Sequence, residues 1–139
     1  MNKRNIILIG MPGAGKSSVG VILAKVLGYE FIDTDLVIQH REKRLLREII
    51  ADEGNEGFLA IENEVNATLE ANKSVIAPGG SAIYGKEAME HFKEIGTIVY
   101  LKLSYEDLAK RLGNLKGRGV VLKEGQTLKD LYDERSKLY

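Results

Sequence analysis

The chain has 139 residues, which suits one domain built on a single core. Its 20 basic and 20 acidic residues cancel, and that balance argues against a nucleic-acid or anionic-membrane surface as its main business. Cysteine is absent, which excludes disulfides and thiolate metal sites, and two distant histidines, His40 and His91, give no basis for a zinc site.

Hydrophobic residues make up 44% and charged residues 29%, an ordinary globular composition. No apolar run is long enough to span a membrane, and Met1-Asn2-Lys3-Arg4 leads straight into a strand. A cytoplasmic protein is therefore expected.

Asn5-Ile6-Ile7-Leu8-Ile9 has the apolar run of a buried strand, and Ser18 to Leu27 has the pattern of a helix. Between them lies Gly10-Met11-Pro12-Gly13-Ala14-Gly15-Lys16-Ser17, which fits the phosphate-binding pattern G-x-x-x-x-G-K-[ST] in the strand-loop-helix context it needs. Successive backbone N–H groups in such a loop, with the first turn of the helix, form an anion site. Gly13, Ala14, Gly15, Lys16, Ser17 and Ser18 are thus the candidate nucleotide-binding residues, with Lys16 for the β- and γ-phosphates and the Ser17 hydroxyl for Mg²⁺.

Tyr29 to Asp33 reads as a second strand, after a Gly28 placed to end the first helix. Asp33-Thr34-Asp35 then opens a helix, with Leu36, Val37 and Ile38 expected on one side. The two carboxylates suit Mg²⁺ or hydroxyl chemistry, and Asp is equally a favoured helix cap. The charged run from Arg41 to Arg47 reads as a solvated turn. Leu45, Leu46, Ile49 and Ile50 form a helical stripe ending at Gly54, and Phe58, Leu59, Ile61, Glu62, Val65 and Leu69 mark a longer helix to about Asn72.

Val75-Ile76-Ala77 is the third strand and runs into Pro78-Gly79-Gly80-Ser81. The glycine pair there allows close backbone approach to a ligand, or is only a turn. Lys86 to Lys93 is a helix, and Thr97 to Leu103 the fourth strand. Ser104 caps a further helix carrying Arg111, and residues 113–125, rich in glycine and basic around Arg118, have the composition of a closing lid. Thr127 to Tyr139 is a last helix.

This order implies an α/β fold, a parallel sheet with helices on both faces. Ligands in such sheets sit at the carboxyl ends of the strands. The phosphate loop, Asp33 with Asp35, the Gly79-Gly80 turn and the segment after strand four all fall there, and their convergence favours function over capping for the carboxylate pair.

At this point the chain resembles the shikimate kinase family, small kinases of the nucleoside-monophosphate-kinase type. The resemblance rests on Gly10 to Ser17, Asp33-Thr34-Asp35, Phe58 with Glu62, Gly79-Gly80, Arg111, Arg118 and Arg135-Ser136-Lys137-Leu138-Tyr139. It implies a single three-layer P-loop kinase domain over 1–139, with acceptor-binding helices over 36–72 and a lid over 113–125. It implies ATP and Mg²⁺ as cofactors, Ser17 and Asp33 at the metal, and Arg111 against the adenine. Asp35 would hold the acceptor hydroxyl, with Lys16 and Arg118 offsetting charge on the transferring phosphoryl group. Gly79 and Gly80 would face the acceptor, and Arg135 would bind its carboxylate. The implied reaction is ATP-dependent phosphorylation of shikimate to shikimate 3-phosphate, in aromatic amino acid biosynthesis, by a monomer with neither nucleic acid nor membrane as partner.

The sequence also departs from the family pattern. Leu59 stands where the family has the arginine that pairs with the shikimate carboxylate, and Ser81 replaces a third glycine. Gln39, Lys43, Asn55 and the lid residues Gly119-Val120-Val121 differ as well. The chain stops at Tyr139, before the fifth strand and terminal helix of the pattern, so four of the usual five strands are expected. Two alternatives follow: a kinase for another small hydroxylated acceptor, or an ATP-binding module with weak or no kinase activity.

Overall fold

The computed structural model describes residues 4–11, 15–102, 106 and 128–139. Strand β1 (Asn5–Ile9) leads into helix α1 (Lys16–Leu27), and β2 (Glu30–Asp33) into α2 (Thr34–Glu42) and α3 (Leu46–Ala67). Strand β3 (Ser74–Ala77) is followed by a 3₁₀ turn (Gly80–Tyr84), α4 (Lys86–Ile95), β4 (Gly96–Tyr100) and, within the C-terminal stretch, α5 (Leu128–Ser136). The four strands form one sheet in the order β2-β3-β1-β4, and every pairing is parallel. The α/β class and the parallel sheet expected from the element order are both present.

Alternation along β1 divides the core between two faces. Ile7 and Ile9 join Ile76 and Phe92 in a cluster that also takes in Ile98, Met89 and Tyr139. Leu8 turns to the opposite face and packs with Ala24 of α1 and Val75. The sheet is therefore covered by α1 on one side and by α4 with the chain end on the other. A third cluster, Ile38, Leu46, Ile49, Phe58 and Val65, holds α2 against α3, and Leu59 packs on its edge.

Several boundaries move from expectation for identifiable reasons. Helix α1 begins at Lys16 rather than Ser18, because Gly15 caps it in a left-handed conformation (φ 95°) that favours glycine. Gly54 interrupts α3 with φ 75°, where the sequence places the end of the first helical stripe. The second stripe ends at Ala67 and not near Asn72, since Thr68 leaves helical geometry and its hydroxyl donates to the Glu64 carbonyl, 2.8 Å. Strand β4 stops at Tyr100 rather than Leu103. Leu36, Val37 and Ile38 do not share a face: Ile38 is fully buried while Leu36 is exposed, as a turn of about 100° per residue requires. The helix expected after Ser104 and the lid over 113–125 lie outside the described residues, apart from Glu106.

Asn5 at the start of β1 stitches the base of the sheet. Its Nδ2 donates to the carbonyls of Ala71 (3.0 Å) and Ile95 (2.9 Å), and its Oδ1 accepts from the Ser74 N–H (3.0 Å). This leaves the opposite end of the sheet, where the strands finish, free to carry the cleft. Among the described residues no helix is long and apolar enough to cross a membrane.

Candidate active site

The first turn of α1 brings Lys16 to the end of β1. The side chain is buried, and its Nζ donates to the Gly10 carbonyl at 2.7 Å, closing the loop upon itself. Burial drives the Lys16 pKa down to about 8, against the opposing pull of Asp35. Ser17 and Ser18 are exposed at the same helix start. Gly13, Ala14, Arg111 and Arg118 fall outside the described residues.

Asp33 ends β2 and caps α2: its Oδ1 accepts from the Asp35 N–H, 2.9 Å. The cap engages one Asp33 oxygen and fixes the first turn of α2. Asp35, the second residue of that helix, thereby projects toward Gly79, where its Oδ1 lies 3.0 Å from the point a Cβ would occupy. Burial first, then the neighbouring Asp33 charge, push Asp35 up to about 6, while Lys16 pulls it down.

Glu62 reaches the same glycine from α3. Its Oε2 is also 3.0 Å from a notional Cβ on Gly79, and its Oε1 accepts from the Ser81 hydroxyl at 2.7 Å. Burial raises its pKa to about 8. A side chain at position 79 would crowd both carboxyl groups, so the glycine keeps the gap between them open.

Helix α5 supplies Arg135, 1% exposed, on the same inner face as Leu131. Its guanidinium stands 5.4 Å from the centre of the Tyr84 ring, and its charge acts on both Lys16 and Glu62. Tyr84 is hydrogen-bonded to Glu134. Tyr139 donates to the Gly80 carbonyl at 2.8 Å, stacks on Tyr100 and approaches the Met11 sulfur at 3.8 Å. The chain end therefore touches both the phosphate loop and the Gly79-Gly80 turn.

Lys16, Asp35, Gly79 and Arg135, picked from the sequence, thus meet at one edge of the sheet, with Asp33 behind Asp35. The sequence motifs took in Glu62, Ser81 and Tyr139 without giving them a role, and left out Tyr84. The paired departures at 59 and 81, flanking Glu62, were the signal available for the first two. Ser17 and Asp33 offer hard oxygen donors of the kind Mg²⁺ takes. No group of three or more metal-binding side chains occurs among the described residues.

A parallel sheet with a glycine loop feeding a buried lysine, opposite a carboxylate and an arginine, defines a P-loop kinase. The sequence profile of the family described as shikimate kinase matches residues 12–139. Shikimate kinase 2 of Yersinia pseudotuberculosis is 34% identical over 145 residues, covering 98% of this chain and 81% of the relative. The structure of the Acinetobacter baumannii shikimate kinase in complex with shikimate superposes with a TM-score of 0.85 at 35% identity, covering 99% of this chain and 78% of the other. The Aquifex aeolicus shikimate kinase gives 0.78 at 31% identity, covering 96% and 80%. The chain belongs to the shikimate kinase family, whose members are small-molecule kinases.

Proposed function

We propose that this chain transfers the γ-phosphoryl group of ATP to a hydroxyl of shikimate. The observation that carries the reading is the burial of Lys16 and Arg135 within reach of each other's charge and of Asp35, which itself lies against Gly79, in a chain of this family.

The loop N–H groups and the first turn of α1 bind the phosphates, helped by the positive end of the helix. Lys16 leaves the Gly10 carbonyl for the β- and γ-oxygens. Ser17 and Asp33 would hold Mg²⁺, which supplies charge neutralisation on the phosphate chain. Asp35, ionised above about pH 6, accepts a hydrogen bond from the acceptor hydroxyl, aims the oxygen at phosphorus and takes the hydroxyl proton as the new O–P bond forms and the γ-phosphorus bond to the ADP oxygen breaks. Arg135 receives the acceptor carboxylate, and the backbone at Gly79 and Gly80 lines the acceptor. By the family resemblance, Arg118 would offset charge on the transferring group and Arg111 would bind the adenine. In this reading residues 36–72 form the acceptor-binding part and 113–125 the lid of one domain. The proposed working form is a cytoplasmic monomer.

Asp35→Asn tests the assignment. Shikimate-dependent ADP release should fall by about 10²–10⁴ with ATP binding retained; undiminished turnover would refute it. A second reading, a different hydroxylated acceptor, is favoured by Leu59, which presents an apolar side chain on the α2–α3 cluster and no charge to a carboxylate.

A further inference from the structure

Tyr84 closes the 3₁₀ turn that starts at Gly80, so one element carries an acceptor-side glycine at one end and a tyrosine at the other. From there it engages two consecutive residues of α5. Its hydroxyl donates to the Glu134 carboxylate, and the Arg135 guanidinium lies 5.4 Å from the centre of its ring. Arg135 also hydrogen-bonds to the hydroxyls of Tyr84 and Tyr139. Tyr139 donates its own proton to the Gly80 carbonyl, 2.8 Å. The turn and α5 are thus joined at both ends of the turn, and the buried Arg135 is held by both tyrosines.

This arrangement orders a side chain that is flexible by nature. An arginine carries about 2 kcal/mol of rotamer entropy, and fixing it before a ligand arrives lowers the cost of binding. An aromatic face attracts the guanidinium, more strongly where water is excluded. A phenol oxygen orients it as well and, being neutral, leaves its charge uncancelled; a carboxylate in that place would not. The carboxylate of the adjacent residue, Glu134, is engaged by the Tyr84 hydroxyl instead. Burial and the bond to Glu134 raise the Tyr84 pKa against the pull of Arg135, so the hydroxyl keeps the proton it donates. Leu59 brings no charge from α3, so capture of an acceptor carboxylate depends on how Arg135 is set.

We propose that Tyr84 is a positioning residue for acceptor recognition: its ring and hydroxyl fix the Arg135 guanidinium, and its bond to Glu134 anchors α5, so that Arg135 is set for the acceptor carboxylate before the acceptor binds. Tyr84 acts through Arg135 and touches none of the reacting atoms. Its contribution is selectivity for an anionic acceptor over a neutral one of the same shape. The inference rests on the kinase reading above and adds to it the residue that prepares its carboxylate contact.

The test is titration calorimetry in the presence of MgADP, with shikimate and with its methyl ester, which presents no carboxylate charge. Tyr84→Leu should raise the shikimate Kd about tenfold. The Kd of the methyl ester, and that of MgADP titrated alone, should stay within about twofold of the wild type. Tyr84→Phe keeps the ring and loses the hydroxyl; it should raise the shikimate Kd about threefold without moving the ester, and it carries the test if Tyr84→Leu does not fold. An unchanged shikimate Kd in the folded variants, or an equal loss for shikimate and ester, overturns the inference and leaves the kinase reading intact. A loss confined to shikimate, in a protein that transfers no phosphoryl group to it, supports the role of Tyr84 and sinks the kinase reading. Absence of shikimate binding by the wild type overturns both.

Discussion

At the scale of single residues, the site works by placing unlike charges where water is excluded. Lys16 and Asp35 shift toward each other, to about 8 and about 6, because burial penalises both charged forms. The kcat/KM, which reports the ligand-free enzyme, should therefore rise through about pH 6 as Asp35 ionises and fall above about pH 8 as Lys16 loses its proton. A pH profile of kcat/KM checks this, and loss of the acid limb in Asp35→Asn identifies its source. Leu59→Arg would set a guanidinium one turn from Glu62, ionise it and lower the shikimate KM about tenfold or more. Steady-state kinetics decide that, and an unchanged KM would mean that the corner recognises its acceptor by other means. Lys16 and Asp35 were legible in the sequence because their chemistry is tied to short motifs. The state of Glu62 was not, since it depends on how Gly79 and Ser81 approach from a strand end 17 residues or more away in the chain.

At the scale of elements, helices carry the site and strand ends aim it. Asp33 links the two scales, since its cap on α2 also sets the direction of Asp35. The sequence posed capping and function as rivals for this pair; capping is observed, and it serves the arrangement that the proposed function requires. Asn5 does the corresponding work at the opposite end of the sheet, where it joins β1 to the segment before β3 and to the end of α4. Asn5→Ala would leave two carbonyls and one N–H without their partner and should destabilise the fold by about 2–4 kcal/mol. Urea unfolding measures it; a loss under 0.5 kcal/mol, roughly the floor for one net hydrogen bond, would refute the stitching role. Asn5 read merely as the first residue of an apolar strand, because its three partners are 66 or more residues away in sequence.

At the scale of the whole molecule, the buried charges of the cleft are a cost that the rest of the fold carries. Glu62 keeps its proton when folded, up to about pH 8, but ionises near 4.5 when the chain unfolds. The folded form therefore binds more protons between those values, and stability falls as pH rises through that window. Relative to Glu62→Gln, the wild type should lose up to about 1.4 kcal/mol per pH unit there and level off above. Thermal melts of the two proteins across pH 4 to 9 read the difference; parallel curves would contradict it. The four strands seen among the described residues and their parallel sense followed from the alternation of elements along the chain. The order β2-β3-β1-β4 did not, because lateral pairing is fixed by long crossovers and by shared burial, neither of which is written locally. The cleft at the strand ends followed from the fold class. The most direct test is therefore transfer from γ-labelled ATP, with shikimate set against a panel of sugar acids, polyols and amino alcohols. The account predicts labelled shikimate 3-phosphate with the highest kcat/KM of the panel. Preferential labelling of another acceptor, or of none above the ATPase background, would contradict it.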